Sequence, residues 1–384
     1  MPKKKKATTK ELEQHFAATA FKLTQERSDF LLPQVRDFVN QKKWINLRPE
    51  YQRRTVWDDA KRSLFVESLL LNVPIPPIFL YEWDLSRYEV MDGQQRLNAI
   101  VDFYENSFAL KGLERWSMIN GWRYSELPET LKRGLDRRRI SATVLLVRDG
   151  EEGERQPEKS DVRKLVFDRL NTGGQPLNGQ ELRNCLYASK FNDSITKKLS
   201  ADPIFTTIWG IPAHADNIDQ AGKPSEELRK NPLYKRMIDC EIVLRFFAFR
   251  KASHIKGSVR SMLDRTLEDN QNITDQQLAQ METDFRERIK LAREVFGAAK
   301  VFRYTDKKGK PQLSQPLYDG VMVALDRLWA RRKEIVAAKA GVIRNIERLF
   351  RDEDAFEVIV GKPNTAKAVL KRLELLTRAI ESAL

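Results

Sequence analysis

The chain has 384 residues, of which 41% are hydrophobic and 32% charged, enough for two sizeable cores and a prior of two domains plus tails. No stretch approaches the roughly 20 apolar residues of a membrane-spanning helix, and no apolar segment follows the opening MPKKKKATTK, which argues against a secretory signal. A net charge of +14 favours polyanionic partners, and because only five of those charges belong to Lys3, Lys4, Lys5, Lys6 and Lys10, the body of the chain is basic in its own right.

Taken in chain order, residues 1–25 read as a basic polar tail. Leu31, Leu32, Val35 and Phe38 form a short apolar-spaced segment, and Trp44, Ile45 and Leu47 a strand-like run that stops at Pro49. Asp58 is a candidate cap for a helix bearing Leu64, Phe65, Leu69 and Leu70. Pro74, Pro76 and Pro77 then force an extended path. Residues 78–81 and 88–91 read as a hairpin, after which Leu97, Ile100, Val101 and Tyr104 recur at helical spacing. Asp92-Gly93 therefore occupies a strand-to-helix turn. A strand over 140–147 precedes a Glu/Gly-rich loop, a helix over 161–170 and the loop Asn171-Thr172-Gly173-Gly174, and Asn178 with Glu181 forms a capping box for the next helix. Past Phe191 helical patterns dominate, at 237–249, 275–296, 317–329 and 365–383. These patterns predict an α+β protein: a mixed domain over 26–192 and a mostly α-helical domain over 193–384.

Several chemistries lack their residues. His15, His214 and His254 are scattered without metal-ligand spacing, which excludes a zinc or HNH-type site. Cys185 and Cys240 form no Cys-x-x-Cys pair and fit a reducing cytoplasm. None of the three Gly-Lys pairs has the upstream glycine of a phosphate-binding P-loop. Asp306 and Lys308 echo a nuclease motif, but they lie in a Lys/Gly-rich turn where chance explains them.

What remains is Asp92-Gly93-Gln94-Gln95-Arg96. A strand ending in Asp-Gly and feeding a helix presents backbone N–H groups at the positive end of the helix dipole, where anions bind. Gly93 permits close approach, Arg96 supplies a fork for phosphate oxygens, Gln94 and Gln95 can orient a water or a base edge, and Asp92 can hold Mg²⁺ or position an attacking water. The same residues suit a plain turn, a helix start and a surface arginine equally well.

The string from Asn46 to Tyr104 resembles the GmrSD-type family of the ParB/sulfiredoxin-like superfamily. Its hallmarks are matched by Pro49, Tyr51, Gln52, Arg53 and Trp57, by the Ile-Pro-Pro-Ile run at 75–78, and by Asp92–Arg96. Further along, Phe167, Arg169, Asn171, Leu177, Glu181 and Arg183 match its F-x-R-x-N…L-x-x-x-E-x-R segment. The resemblance implies a ParB-like domain that binds a nucleoside triphosphate with Mg²⁺ and acts with DNA in prokaryotic defence, often beside a partner nuclease or other defence protein. Asp92, Gln95 and Arg96 would be catalytic, Asp92 would bind the metal, and Tyr51, Gln52, Arg53, Gly93, Gln94 and Asn171 would hold the nucleotide. With three histidines the chain departs from the HNH-like nuclease that family members usually carry at the C-terminus. A DNA-nicking nuclease using the same pocket, and a non-catalytic DNA-binding or scaffold module, are the alternatives. Lys132, Arg133, Arg137, Arg138 and Arg139, then Arg331, Arg332 and Lys333, with Trp116, Trp122 and Trp329 nearby, are candidates for a DNA-facing surface.

Overall fold

The computed structural model describes residues 8–12, 23–47, 57–147, 166, 178–220, 224–306, 308–361 and 365–384. It is an α+β protein, 61% helical with a mixed five-stranded sheet. Its described residues fall into two compact units, one ending at residue 147 and one starting at residue 178.

In the first unit the sheet order is β1-β5-β3-β4-β2, with β1 at Leu23–Leu31, β2 at Ile45–Asn46, β3 at Ile78–Asp84, β4 at Arg87–Asp92 and β5 at Arg139–Val147. The hairpin and the 140–147 strand were expected from their alternation. Pairing is antiparallel for β1 with β5 and for β3 with β4, and parallel for β3 with β5 and for β2 with β4.

Strand β1 is the surprise. Its sequence, LTQERSDFL, is too polar to announce a strand, and sequence reading placed its start in the tail. The strand forms because its full length pairs with β5, from Leu23 opposite Val147 to Leu31 opposite Arg139. It occupies a sheet edge, where charged side chains are the usual protection against further pairing.

Helices α1 (Leu32–Asn40), α2 (Asp59–Leu70), α3 (Gln94–Tyr104) and α4 (Glu129–Asp136) cover the sheet. Asp58 caps α2 as its sequence position suggests, its side chain accepting from the Lys61 N–H at 2.9 Å. The core gathers Leu32 and Val35 from α1, Val66 and Leu69 from α2, Ile78 and Leu80 from β3, and Leu97 and Ile100 from α3. Buried Glu67 is not a defect: one carboxylate oxygen accepts from the N–H groups of Arg115 and Trp116, both at 2.8 Å, and so pins a long loop to α2. Near the end of α3, the hydroxyls of Tyr104 and Tyr124 both donate to Asp136, at 2.8 and 3.2 Å. Burial, reinforced by Asp136, pushes the Tyr124 phenol up to about 12, so it stays a donor.

The second unit is helical apart from the hairpin of β6 (Arg303–Thr305) and β7 (Pro311–Leu313). Helix α5 (Gly179–Leu186) opens this unit. Next come α6 (Pro203–Trp209), α7 (Ile238–Arg250), α8 (Val259–Asp269), α9 (Asp275–Phe296), α10 (Gln315–Arg327), α11 (Lys339–Leu349), α12 (Glu353–Val360) and α13 (Ala366–Glu381). Helix α7 is buried around its whole circumference, from Asp239 to Phe249 with one half-buried exception at Glu241, so it lies at the centre of the unit. Phe246 and Phe247 meet Phe285 of α9, while Phe191 packs edge-on against Phe247. Gly320 lets α10 and α13 close together, because a Cβ there would lie 2.1 Å from Leu376 Cδ1.

Two charge networks tie these helices. Asp319, fully buried, accepts from Arg245 at 2.9 and 2.5 Å and lies 3.7 Å from equally buried Arg372. Asp326 and Asp284 are shared by Arg250 and Arg288 at 2.8–3.3 Å. Removing one partner of such a buried set strands the others without water. Asp319→Ala is therefore expected to cost about 3–5 kcal/mol, read as a lowered denaturation midpoint. Burial pushes the Asp284 carboxyl up, but hydrogen bonds from Gln280 and Arg250 outweigh it and the net shift is downward from 3.8. Asp284 thus adds stability above that value and loses it as pH falls through its lower folded pKa. Asp284→Asn should accordingly differ from wild type clearly at pH 6 and much less at pH 3, by urea titration at each pH.

Candidate functional site

Strand β4 delivers Asp92 to the amino terminus of α3, and Gly93 makes the corner at φ +95°. A Cβ at this position would meet Ile78 Cγ2 at 2.4 Å and Arg96 Nη2 at 3.1 Å. Glycine is therefore required both by the backbone angle and by the room available.

Each of the next side chains holds a different segment. Gln94 is buried, and its Nε2 donates to the Leu47 carbonyl beyond β2. Gln95 Oε1 accepts from the Trp57 N–H at 3.0 Å, just before α2. Arg96 Nη1 donates to the carbonyl of Pro76 and, at 3.2 Å, to that of Pro77, while Nη2 donates to Asp92 Oδ2 at 2.6 Å. The chain at 76–77 is open to this capture because proline cannot donate and so leaves the local carbonyls outside any ladder. Sequence reading registered Pro76 and Pro77 as the entry to a strand, and missed them, with Leu47, as acceptors. Main-chain acceptors carry no side-chain signature.

Arg96 is the more enclosed member of its ion pair, its side chain 13% exposed against 49% for Asp92. Burial lowers the Arg96 pKa and Asp92 opposes the shift, so the guanidinium remains charged at any ordinary pH. The site is thus a helix amino terminus, its Arg96 N–H turned back to the Gly93 carbonyl at 3.0 Å, fronted by an accessible carboxylate on a firmly held arginine. Asp92, Gly93, Gln94, Gln95 and Arg96 come together here. Tyr51, Gln52, Arg53 and Asn171 lie outside the described residues.

The other expected positions have local roles. Asn178 and Glu181 form the capping box, with Glu181 Oε2 accepting from the Asn178 N–H at 2.7 Å. Arg183 is buried and pairs with Asp264 at 2.9 Å and Glu241 at 3.1 Å. Asp306 caps its own turn, accepting from the N–H groups of Lys308 and Lys310 at 2.9 and 2.8 Å. Trp329 is sandwiched by Arg288 and Arg332, and Trp116 packs on the first core. Arg133, Arg137 and Arg139 are exposed, whereas Arg138 turns inward to the Leu70 carbonyl at 3.2 Å. Among the described residues no group of three His, Cys, Asp or Glu side chains could hold a metal ion, and no helix is long and apolar enough to cross a membrane.

The first unit is thus an α+β arrangement with a mixed sheet and an Asp-Gly-Gln-Gln-Arg corner at the start of α3. Residues 35–188 match the family described as GmrSD restriction endonuclease, N-terminal domain. The family points to restriction-type defence and to DNA. No curated protein and no solved structure matches the chain significantly.

Gly93→Ala tests the corner. Holding a non-glycine residue at this φ costs about 1–3 kcal/mol, and displacement of Ile78 adds to it. The variant should unfold at clearly lower urea concentration, and combined with Ile78→Ala, itself costly in the core, the loss should be smaller than the sum of the two single losses.

Proposed function

We propose that the protein is a restriction-type defence factor whose first unit binds and hydrolyses a nucleoside triphosphate, with Mg²⁺, at the amino terminus of α3, and so regulates action on DNA. The observation that carries this reading is the half-exposed Asp92 carboxylate, held by Arg96 at the positive end of a helix on a turn that only glycine accommodates. Arg96 is mainly a positioning residue, since two main-chain carbonyls already occupy its Nη1. It fixes Asp92 and supplies positive charge beside the incoming phosphates.

One carboxylate suits Mg²⁺, which keeps several waters and takes its remaining ligands from substrate phosphates. When bound, the ion would supply charge neutralisation at the phosphates. Gln95 uses its carbonyl oxygen on Trp57, which leaves its amide N–H₂ as the donor for a phosphate oxygen or a water. Gln94 shapes the corner through Leu47. Tyr51, Gln52, Arg53 and Asn171 complete the proposed ligand set on the strength of the family resemblance.

Nucleotide binding and phosphate release by wild type, Asp92→Ala and Arg96→Ala test the proposal. Asp92→Ala should retain the fold and lose turnover by about 100-fold or more, the usual scale for a group acting on the reacting centre. Arg96→Ala should lose both turnover and stability. Failure of the wild-type protein to bind any nucleotide ends the reading. The family description as a restriction endonuclease favours a second one, in which the same corner acts on a phosphodiester. Nicking of plasmid in Mg²⁺ or Mn²⁺ that Asp92→Ala abolishes, without nucleotide turnover, would establish it instead.

A further inference from the structure

The second unit contains a cavity of about 420 Å³, opening to solvent between the carboxyl end of α9, the β6–β7 hairpin, α10 and α11. That size is within the range of small-ligand sites. Its aromatic walls include Phe302, Tyr304 and Phe350. These rings are held edge-on, buried Phe302 against Tyr318 at 5.0 Å, and the more accessible Tyr304 and Phe350 against Phe356 at 5.5 and 6.4 Å.

Three cations line the same cavity: Lys300, Arg303 and Arg351. Lys300 lies 3.6 Å from Glu347, a carboxylate that lines the same cavity and offsets its charge. Arg303 is different. Its guanidinium is oriented by main-chain carbonyls alone, Nη1 to Ala298 and Val301 at 3.3 Å and Nη2 to Ile208 at 2.9 Å. Among the described residues no carboxylate lies within ion-pair distance of it, and burial lowers its pKa without any opposing charge. A half-buried, oriented arginine with no countercharge beside rigid aromatic walls lacks an anion, and the walls ask for a flat ring.

We infer that this cavity binds a nucleotide, its base against the aromatic walls and its phosphate toward Arg303 and Arg351. Aromatic side chains stack on any base, and the planar arginine fork matches phosphate oxygens. The nucleotide can be free or a residue of single-stranded DNA. This site lies wholly within the second unit and does not depend on the function proposed for the first.

The test is calorimetric titration of the full chain with each of the four deoxynucleoside monophosphates, with short single-stranded oligonucleotides, and with deoxyribose 5-phosphate. Asp92→Ala is used throughout to separate the two sites. Ala299→Trp fills the cavity from an exposed lining position, and Arg351→Glu reverses a rim charge without touching the core. Saturable binding that survives Asp92→Ala and weakens about tenfold or more in both cavity variants supports the inference, since one stacked base contributes about that much. Binding of monophosphates identifies a free nucleotide as the source, and binding of oligonucleotides only identifies DNA. Lack of saturable binding by every nucleotide probe overturns the inference. So does binding that Arg351→Glu leaves unchanged, or deoxyribose 5-phosphate binding as tightly as the nucleotides. Should Ala299→Trp lower the melting temperature, Arg351→Glu alone decides.

Discussion

The geometry of the first unit rests on where Arg96 spends its hydrogen bonds. A guanidinium drawn this far out of water has to find acceptors, and it finds them in the carbonyls of Pro76 and Pro77 and the carboxylate of Asp92. That choice positions the prolyl approach to β3, orients the end of β4 and holds the start of α3. Gln94 and Gln95 extend the same device to Leu47 and Trp57. The motif is therefore a junction before it is anything chemical. Most of its polar atoms hold backbone, and the Asp92 carboxylate is its most exposed charged group. A corner built this way is preorganised, because its side chains are already held by bonds within the protein.

The second unit solves a related problem differently. Its helices are crossed by buried and half-buried arginines matched by carboxylates: Arg183 with Asp264 and Glu241, Arg245 with Asp319, half-buried Arg250 and buried Arg288 with Asp284 and Asp326. Pairing inside a low-dielectric interior is stringent, since a member without its partner pays full desolvation. Against that background Arg303, half-buried and held only by carbonyls, stands out. The basic charge of the chain is thus only partly a solvated surface. Arg183, Arg245, Arg250 and Arg288 are used in helix-to-helix ties whose carboxylates cancel their charge, while Arg133, Arg137 and Arg139 of the first unit remain exposed.

Periodicity carried most of the fold. The β3–β4 hairpin, the Asp58 cap, α3, β5 and the long helices of the second unit were all legible, because each has an alternation, a 3.6-residue repeat or a capping residue. Strand β1 was not, because LTQERSDFL has no pattern of its own and becomes a strand only through its ladder to β5. The β6–β7 hairpin was hidden by its length of three residues a side. Helix α5 was legible from its capping box.

From the sequence alone came the Asp-Gly corner, the helix behind it and the resemblance to the family whose model residues 35–188 match, since local conformation and side-chain chemistry are written in neighbouring residues. Tertiary structure decided what those side chains do. Gln94, Gln95 and Arg96 all read as ligand-facing, and each proved to hold main chain from 19 to 47 positions away. Their acceptors at Leu47, Pro76 and Pro77 and the donor at Trp57 are peptide groups, identical in every residue type apart from proline's missing hydrogen. Only the path of the folded chain selects which of them a buried guanidinium or amide will meet.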